Sequence, residues 1–259
     1  MSDVPPAADA AHADIGLVCA LKLEVVPLLE RCDRVRKYTG GEFVFRGGLT
    51  GEDYDIRVVI VEAGTGQERA ARATQALIDA HTPNWILSVG FSGALTPELK
   101  IGDIVTANSV VDMTGDELKV DVRMTADVER GWHVGRIVTA DEIVRTVAEK
   151  ERLARQTEAL AVDLESLAVA RLCSAAKMRF LAVRAISDEL SEDLPPEVLS
   201  VFGGTGSLRA GAIAGALWKR PGSAKDMWRL RERAVTASER LAIFLTGIIP
   251  TLAESSRSR

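Results

Sequence analysis

Three carboxylic acids lie where an apolar strand ends. Asp163 and Glu165 follow a short apolar run and begin a mostly apolar helix, and Asp188 ends a second apolar run, residues 180–186. In an open α/β sheet, ligands bind beyond the carboxyl ends of the strands. Carboxyl groups at such a position can donate or accept protons during a reaction. We therefore expect these three acids at a pocket.

Two other stretches have less specific patterns. Glu24 begins a helix after the apolar run 15–20, where a solvated carboxylate that favours the helix dipole is the simpler interpretation. Gly64 and Gly66 stand between a strand and a helix, where backbone amides can approach an anion or a sugar. The third glycine of a dinucleotide site and the lysine of a Walker motif are both missing. A tight turn that needs two glycines explains this pair at least as well.

The elements around these residues predict a single α/β domain. Near-continuous apolar strands alternate with segments of helical periodicity, which is typical of a largely parallel sheet covered on both faces. We expect a mixed, largely parallel central sheet flanked by helices in a three-layer α/β/α arrangement. The domain is predicted to span residues 14–252, with residues 1–13 as a flexible leader and residues 253–259 as a flexible tail.

Composition excludes several classes of function. The chain has 259 residues, of which 47% are apolar and 27% charged, as in ordinary globular proteins. A net charge of −5 provides no basic surface for nucleic acid. The three cysteines and three histidines are scattered, which indicates neither a disulfide framework nor a metal site. There is no apolar run of membrane-spanning length and no signal peptide. We expect a soluble, cytoplasmic protein that uses no metal ion and no cofactor.

Six motifs follow one another along the chain: residues 15–20 with Glu24, Gly64-x-Gly66, and the runs 90–95, 99–105, 161–166 and 183–188. In this order they resemble the nucleoside phosphorylase/nucleosidase superfamily, and the chain is most similar to its methylthioadenosine/S-adenosylhomocysteine nucleosidases. The matching segments run from about residue 14 to residue 188. The resemblance implies a phosphorylase-like α/β fold and cleavage of the N-glycosidic bond of a purine nucleoside.

That reaction needs an acid for the leaving base, an anchor for the ribose and an activator of the nucleophile. The resemblance implies that Asp188 protonates purine N7 and that Ser187 orients it. Asp188 must then hold its proton near neutral pH, which a desolvated pocket can achieve by raising its pKa. Glu165 would bind the ribose hydroxyls and stabilise positive charge on the sugar. Glu24 would bind and deprotonate the attacking water.

The resemblance also suggests supporting residues. Arg184 would hold Glu24 or its water, or would instead form a buried structural ion pair. Asp163 would lie behind the site as a supporting partner or would be a simple helix N-terminal acid. Seven residues are expected to bind the substrate: Ser187 and Arg184, together with Phe91, Ser92, Gly93, Val144 and Leu164.

Several residues depart from the nucleosidase pattern, and they concern substrate recognition. Phe91 and Ser92 stand where Ser-Ala is usual, so the hydroxyl is displaced by one position and a ring is inserted. Leu164 replaces the methionine before Glu165. Ile143 replaces the aromatic residue that stacks on adenine, next to Val144, whose backbone would read the base edge. The segment 112–132 is short and charged, so a part that covers the substrate is reduced or comes from a neighbouring subunit of a homo-oligomer.

Water is the more suitable nucleophile for this sequence. Ser88-Val89-Gly90 stands where phosphorylases have an arginine, and Glu24 beside that site would repel phosphate. We therefore predict a nucleosidase for an adenine (purine) nucleoside with a 5′-substituted ribose. A phosphorolytic enzyme is one alternative. A non-catalytic nucleoside-binding member is another, because Phe91 and the missing stacking ring could have closed the water site.

The later chain has a narrower resemblance. Residues 138–165, Leu194-Pro195-Pro196 and a basic helix around residues 217–222 resemble the hopanoid-associated phosphorylase branch, which is implied to remove adenine from an adenosylated hopane lipid. Helices are predicted at residues 208–219 and 226–245. The basic C-terminal helix either packs on the core with its charged face in water or contacts an anionic membrane surface, where a lipid substrate would be collected.

Overall fold

The computed structural model describes residues 12–121, 124–195 and 223–257, with side chains of the last segment from residue 228 onward. The strands of these segments are β1 (Ile15–Cys19), β2 (Asp33–Gly40), β3 (Phe43–Thr50), β4 (Ile56–Glu62), β5 (Trp85–Ala94), β6 (Ile104–Asp112), β7 (Glu117–Lys119), β8 (Trp132–Thr139), β9 (Ala161–Asp163) and β10 (Arg179–Asp188). The helices are α1 (Lys22–Leu29), α2 (Gln67–His81), α3 (Val147–Thr157), α4 (Ser166–Ala175) and α5 (Ser223–Arg257).

All ten strands belong to one mixed sheet, in the order β10-β6-β8-β9-β5-β1-β4-β3-β2 with β7 beside β6. Strands β4, β1, β5 and β10 are parallel neighbours, whereas β2, β3 and β4 form antiparallel hairpins. The predicted mixed sheet is confirmed, but its antiparallel share is larger than expected. Strand β10 also pairs with β6, so that β10, β6, β8, β9 and β5 close into a ring. This closure is possible because β5 extends to Ala94 and pairs with β9 beyond its contact with β1.

Helices cover both faces of the central strands, as the sequence predicts. The five residues of β1 are all buried, which is typical of a parallel strand between two helical layers. Apolar residues of α1 and α5 join the larger core on one face. Those of α2, with Val169 and Cys173 of α4, join a second core on the other face. The carboxyl ends of the central strands are thereby held in fixed positions.

Helix α5 is longer than predicted. Its inner face is a stripe of buried residues at helical spacing, among them Ala237, Leu241, Leu245 and Ile249, and this stripe packs in the larger core. By length and composition alone α5 would suit a membrane span. The predicted end at residue 245 and the tail from residue 253 are wrong for the described residues, since the helix continues to Arg257 and Ala253 is buried. Arg257 anchors this end by an ion pair with Asp55 at 2.8 Å.

One boundary and one strand also differ from expectation. Ala13 is buried and its N–H donates to the carbonyl of His81, so the folded part includes a residue assigned to the leader. Strand β2 was not predicted, because its residues are nearly all exposed and its sequence is charged; it forms by pairing with β3. Residues 1–11, Pro196, the predicted helix 208–219 and the basic run 217–222 lie outside the described residues.

Candidate active site

A cavity of about 180 Å³ lies at the carboxyl ends of β1, β9 and β10. Glu24, Glu165 and Asp188 all contribute to its wall, although they come from three distant parts of the sequence. Six of the seven residues expected to bind substrate line it as well: Phe91, Ser92, Gly93, Val144, Leu164 and Ser187. The three acids are thus brought together at one place.

Glu24 is buried, with only 5% of its surface exposed, so the interpretation as a solvated helix-start carboxylate is wrong. Its Oε2 accepts a hydrogen bond from the Leu21 amide at 2.8 Å, and its Oε1 accepts one from the Phe91 amide at 3.0 Å. Gly90 allows this approach, because a Cβ atom there would lie 2.6 Å from Glu24 Oε1. Burial raises the pKa of Glu24, and the two amides only partly oppose the rise. A carboxylate of increased basicity is suited to accept a proton.

Glu165 stands at the N-terminus of α4 and is also buried. Its Oε1 accepts a hydrogen bond from the Gly66 amide at 2.9 Å, and Gly66 has a φ of +98°, which favours glycine. The Gly64-x-Gly66 turn therefore directs an amide to Glu165 in this structure. Burial raises the pKa of Glu165 to about 7, although the positive charge of Arg184 opposes the rise.

Arg184 lies behind the cavity wall, so its expected role as a substrate-binding residue is not what the geometry shows. Its Nε is 2.6 Å from Asp163 Oδ2, and its Nη2 donates to the hydroxyls of Ser88 and Ser166 at 2.8 and 3.0 Å. It is 2% exposed and forms the buried ion pair that was the alternative interpretation. Its Nη2 also lies 3.9 Å from Glu165 Oε2. Arg184 therefore places a fixed positive charge beneath the acids.

Asp163 serves both of the purposes considered for it. Besides its ion pair with Arg184, its Oδ1 accepts a hydrogen bond from the Thr139 hydroxyl at 2.7 Å. The same oxygen lies 3.3 Å from the amides of Glu165 and Ser166 in the first turn of α4. Asp163 thus supports the helix start that carries Glu165 and also holds Arg184 in place.

Asp188 is positioned by a bulge at the end of β10, where the pairing with β5 shifts between Ile186 and Asp188. Its Oδ1 accepts a hydrogen bond from the Ser187 hydroxyl at 2.9 Å. Its Oδ2 forms an ion pair with Lys150 Nζ at 2.6 Å, without the angles of a hydrogen bond. The expectation of an acid in a merely desolvated pocket is therefore corrected, because a buried cation stands beside it.

The departures from the nucleosidase pattern have visible consequences. Phe91 is half-buried and forms part of the wall, and the cavity beside it stays open. The Ser92 hydroxyl donates to the Val162 carbonyl at 2.7 Å, so it holds β9 against β5. Asp141, two residues before Ile143, is exposed and accepts a hydrogen bond from Gln67 at 2.8 Å instead of lining the cavity.

Sequence reasoning missed several residues at the site. Leu194, Leu230 and Ala234 line the cavity, the last two from α5. Lys150 is fully buried although it lies in a highly charged helix. The only sequence signal for Lys150 is its spacing, since it shares the buried face of α3 with Leu153 and Thr157.

Comparison with known proteins relates this fold and site to one family. A model of the Phosphorylase superfamily matches residues 14–217. The 5′-methylthioadenosine/S-adenosylhomocysteine nucleosidase of Staphylococcus haemolyticus is 28% identical over 199 residues, which cover 67% of this chain and 86% of that protein. The nucleosidase of the same name from S. pneumoniae, solved with a transition-state inhibitor, has a TM-score of 0.69 at 19% identity and covers 91% of this chain and 97% of its own.

A further solved structure is similar to the same extent. The futalosine hydrolase of Helicobacter pylori has a TM-score of 0.68 at 18% identity, and the match covers 92% of this chain and 98% of that one. At these identities the two structures establish a common fold. The family model spans most of the chain, including every acid described above, and it confirms the resemblance found in the sequence. The chain belongs to the phosphorylase superfamily.

Proposed function

We propose that this protein is a nucleosidase, an N-glycosyl hydrolase that releases the base from an adenine (purine) nucleoside with a 5′-substituted ribose. The observation that carries the proposal is the convergence of Glu24, Glu165 and Asp188 on one cavity. A protein that only bound a nucleoside would have little need for three buried acids, each of which costs free energy to desolvate.

Each acid has a separate role in this proposal. Glu24 binds the attacking water and accepts its proton, for which its raised pKa is suitable. Glu165 accepts hydrogen bonds from the ribose hydroxyls and stabilises positive charge on the sugar. Asp188 gives a proton to N7 of the purine, so that the base leaves as a neutral molecule. Ser187 holds Asp188 by a hydrogen bond at 2.9 Å.

The charge of the cavity wall supports water as the nucleophile. No lysine or arginine lines the cavity among the residues that the structure describes. Two cations near the cavity are paired with carboxylates, Arg184 with Asp163 and Lys150 with Asp188. Phosphate needs cationic donors that converge on it, and a carboxylate at Glu24 would repel it. Phosphorolysis therefore remains the less suitable alternative.

Two of the similar proteins reported above are consistent with this activity, since both are 5′-methylthioadenosine/S-adenosylhomocysteine nucleosidases. Another structural neighbour is a futalosine hydrolase, so the fold is not restricted to one substrate. The apolar side chains of Leu23, Leu194 and Leu230 in the cavity wall suit an apolar 5′ substituent. The similarity to the hopanoid-associated branch, the homo-oligomer, the cytoplasmic location and the membrane contact stay predictions.

The test is chromatographic. Purified protein is incubated with methylthioadenosine, S-adenosylhomocysteine, 5′-deoxyadenosine, adenosine, inosine and adenosylhopane, each with and without phosphate. We expect free base and free sugar without phosphate, and an Asp188→Asn variant should lose turnover while it retains affinity for the purine. Release that depends on phosphate would make the protein a phosphorylase. No release from any nucleoside, with binding retained, would favour the non-catalytic alternative.

A further inference from the structure

Lys150 is a buried cation with no role in the proposed reaction so far. It lies on the inner face of α3, and none of its surface is exposed. Lysine is almost never fully buried unless it is paired, because an ammonium group is costly to remove from water. The groups around its Nζ atom therefore indicate what this position requires.

Three oxygen atoms surround the ammonium group. Nζ donates to the carbonyl oxygen of Glu189 at 2.7 Å and to that of Glu192 at 3.2 Å. Its third neighbour is Asp188 Oδ2, at 2.6 Å. Two contacts thus fix the ammonium to the segment that follows β10, and the third is with the proposed acid. Lys150 does not line the cavity itself, whereas Asp188 does.

The contact with Lys150 involves the buried oxygen of the Asp188 carboxyl group. Among the described residues, Asp188 Oδ2 has no partner with hydrogen-bond geometry. It faces Gly93, where an added Cβ would lie 3.0 Å away, and Gly93 is part of the cavity wall. The Oδ1 atom is held by Ser187. The carboxyl group of Asp188 is thus held at both oxygens, by the Ser187 hydroxyl and by the Lys150 ammonium.

We propose that Lys150 is a positioning residue that orients the carboxyl group of Asp188 and stabilises the carboxylate formed when Asp188 protonates the leaving base. This inference rests on the proposed nucleosidase function. The O–H bond of Asp188 breaks and its electron pair stays on the carboxylate beside the ammonium, while an N–H bond forms at N7 of the purine. The C1′–N9 bond breaks with its electron pair moving to the base, and a bond forms between C1′ and the oxygen of the attacking water. The attacking water gives its proton to Glu24, and exchange with solvent restores both acids. A cation at 2.6 Å favours the charged product of this step more than its neutral reactant.

The test compares two leaving groups. The base of a purine nucleoside leaves poorly unless protonated, whereas 4-nitrophenolate leaves from 4-nitrophenyl riboside as an anion. In Lys150→Met we expect kcat for the purine nucleoside to fall about 100-fold, in the range typical of lost acid catalysis, and kcat for the nitrophenyl riboside to change less than about threefold. Lys150→Gln, which keeps a hydrogen-bond donor but no charge, should show the same selectivity. An equal loss on both substrates would overturn the proposal.

Asp193→Ala is the matched control for the position of the neighbouring segment. Asp193 Oδ1 accepts a hydrogen bond from the Val147 amide at 2.7 Å, which joins the same segment to the start of α3 without touching Asp188. We expect this variant to affect both substrates equally. If it reproduced the selective loss, segment position and not the charge of Lys150 would be responsible, and the proposal would be wrong.

A second measurement replaces the first if Lys150→Met folds poorly or if the wild-type enzyme does not cleave the nitrophenyl riboside. The residual purine release of Asp188→Asn is compared with that of the double variant Lys150→Met/Asp188→Asn, which contains no unpaired buried charge at this place. Because Lys150 acts through Asp188, the two rates should agree within about threefold, as interacting positions do in a double-mutant cycle. A further large loss would refute the inference. Wild-type protein without base release would instead refute the proposed function.

Discussion

The pKa of Glu165 makes the stability of the free protein depend on pH. Burial raises this pKa from 4.5 to about 7, so the folded protein holds the proton of Glu165 more tightly than the unfolded chain does. The stabilising contribution of the protonated form is complete below pH 4.5 and is lost as the pH rises through about 7. Replacing Glu165 by glutamine keeps an oxygen for the Gly66 amide and removes the charge that must be buried at high pH.

The magnitude follows from the shift. One pKa unit corresponds to about 1.36 kcal/mol, so a rise from 4.5 to about 7 amounts to about 3 kcal/mol. By the linkage between protonation and folding, about 2.5 kcal/mol of this stabilisation is lost between pH 5 and pH 8. We therefore expect Glu165→Gln to gain about 2.5 kcal/mol of unfolding free energy relative to wild type when the pH is raised from 5 to 8.

Urea denaturation at the two pH values measures this difference, with the slope of the transition compared to verify that both proteins unfold in the same manner. Glu68→Gln is the matched control, because the Glu68 side chain is 87% exposed and should show no such pH-dependent gain. Glu165→Gln should also lose activity, since Glu165 is the proposed ribose anchor. If Glu165→Gln and wild type lost stability in parallel from pH 5 to pH 8, the burial argument for Glu165 would be refuted.

Three further predictions concern the residues beneath the cavity. Glu24→Gln should lower kcat by about 10²- to 10⁴-fold, because the base that accepts the proton of water is lost. Wild-type activity should fall as the pH drops through the raised pKa of Glu24, which lies above 4.5. Initial rates from pH 4 to 8 measure both effects, and a variant as active as wild type or a rate independent of pH would contradict the role of Glu24. Gly90→Ala should abolish activity and lower the melting temperature, because its Cβ would lie 2.6 Å from Glu24 Oε1; an active, stable variant would contradict the geometry. Arg184→Met leaves Asp163 as an unpaired buried charge and should cost about 3–5 kcal/mol of unfolding free energy in urea, whereas a near-neutral effect would show that the ion pair is dispensable.

Much of the architecture can be predicted because each strand and helix depends mainly on local pattern. Continuous apolar runs mark the parallel strands, and helical spacing marks α2 and α3. Strand β2 lacks such a pattern and forms only through its partner β3. The closed ring of strands also depends on pairing between distant segments, which periodicity does not encode.

Glu165 and Asp188 were found from their places at the ends of apolar strands, where an α/β sheet exposes its ligand site, and Glu24 was found from the family resemblance. Their environments were decided by tertiary structure alone. Lys150 lies 38 positions before Asp188, in a helix whose charged sequence suits a solvated surface, yet folding brings its ammonium to 2.6 Å from that acid. Likewise, the Gly66 amide and the Arg184 charge reach Glu165 from other elements. The proton affinity of a buried acid depends on the charges, donors and water around it, and these come from segments that only the complete fold brings together.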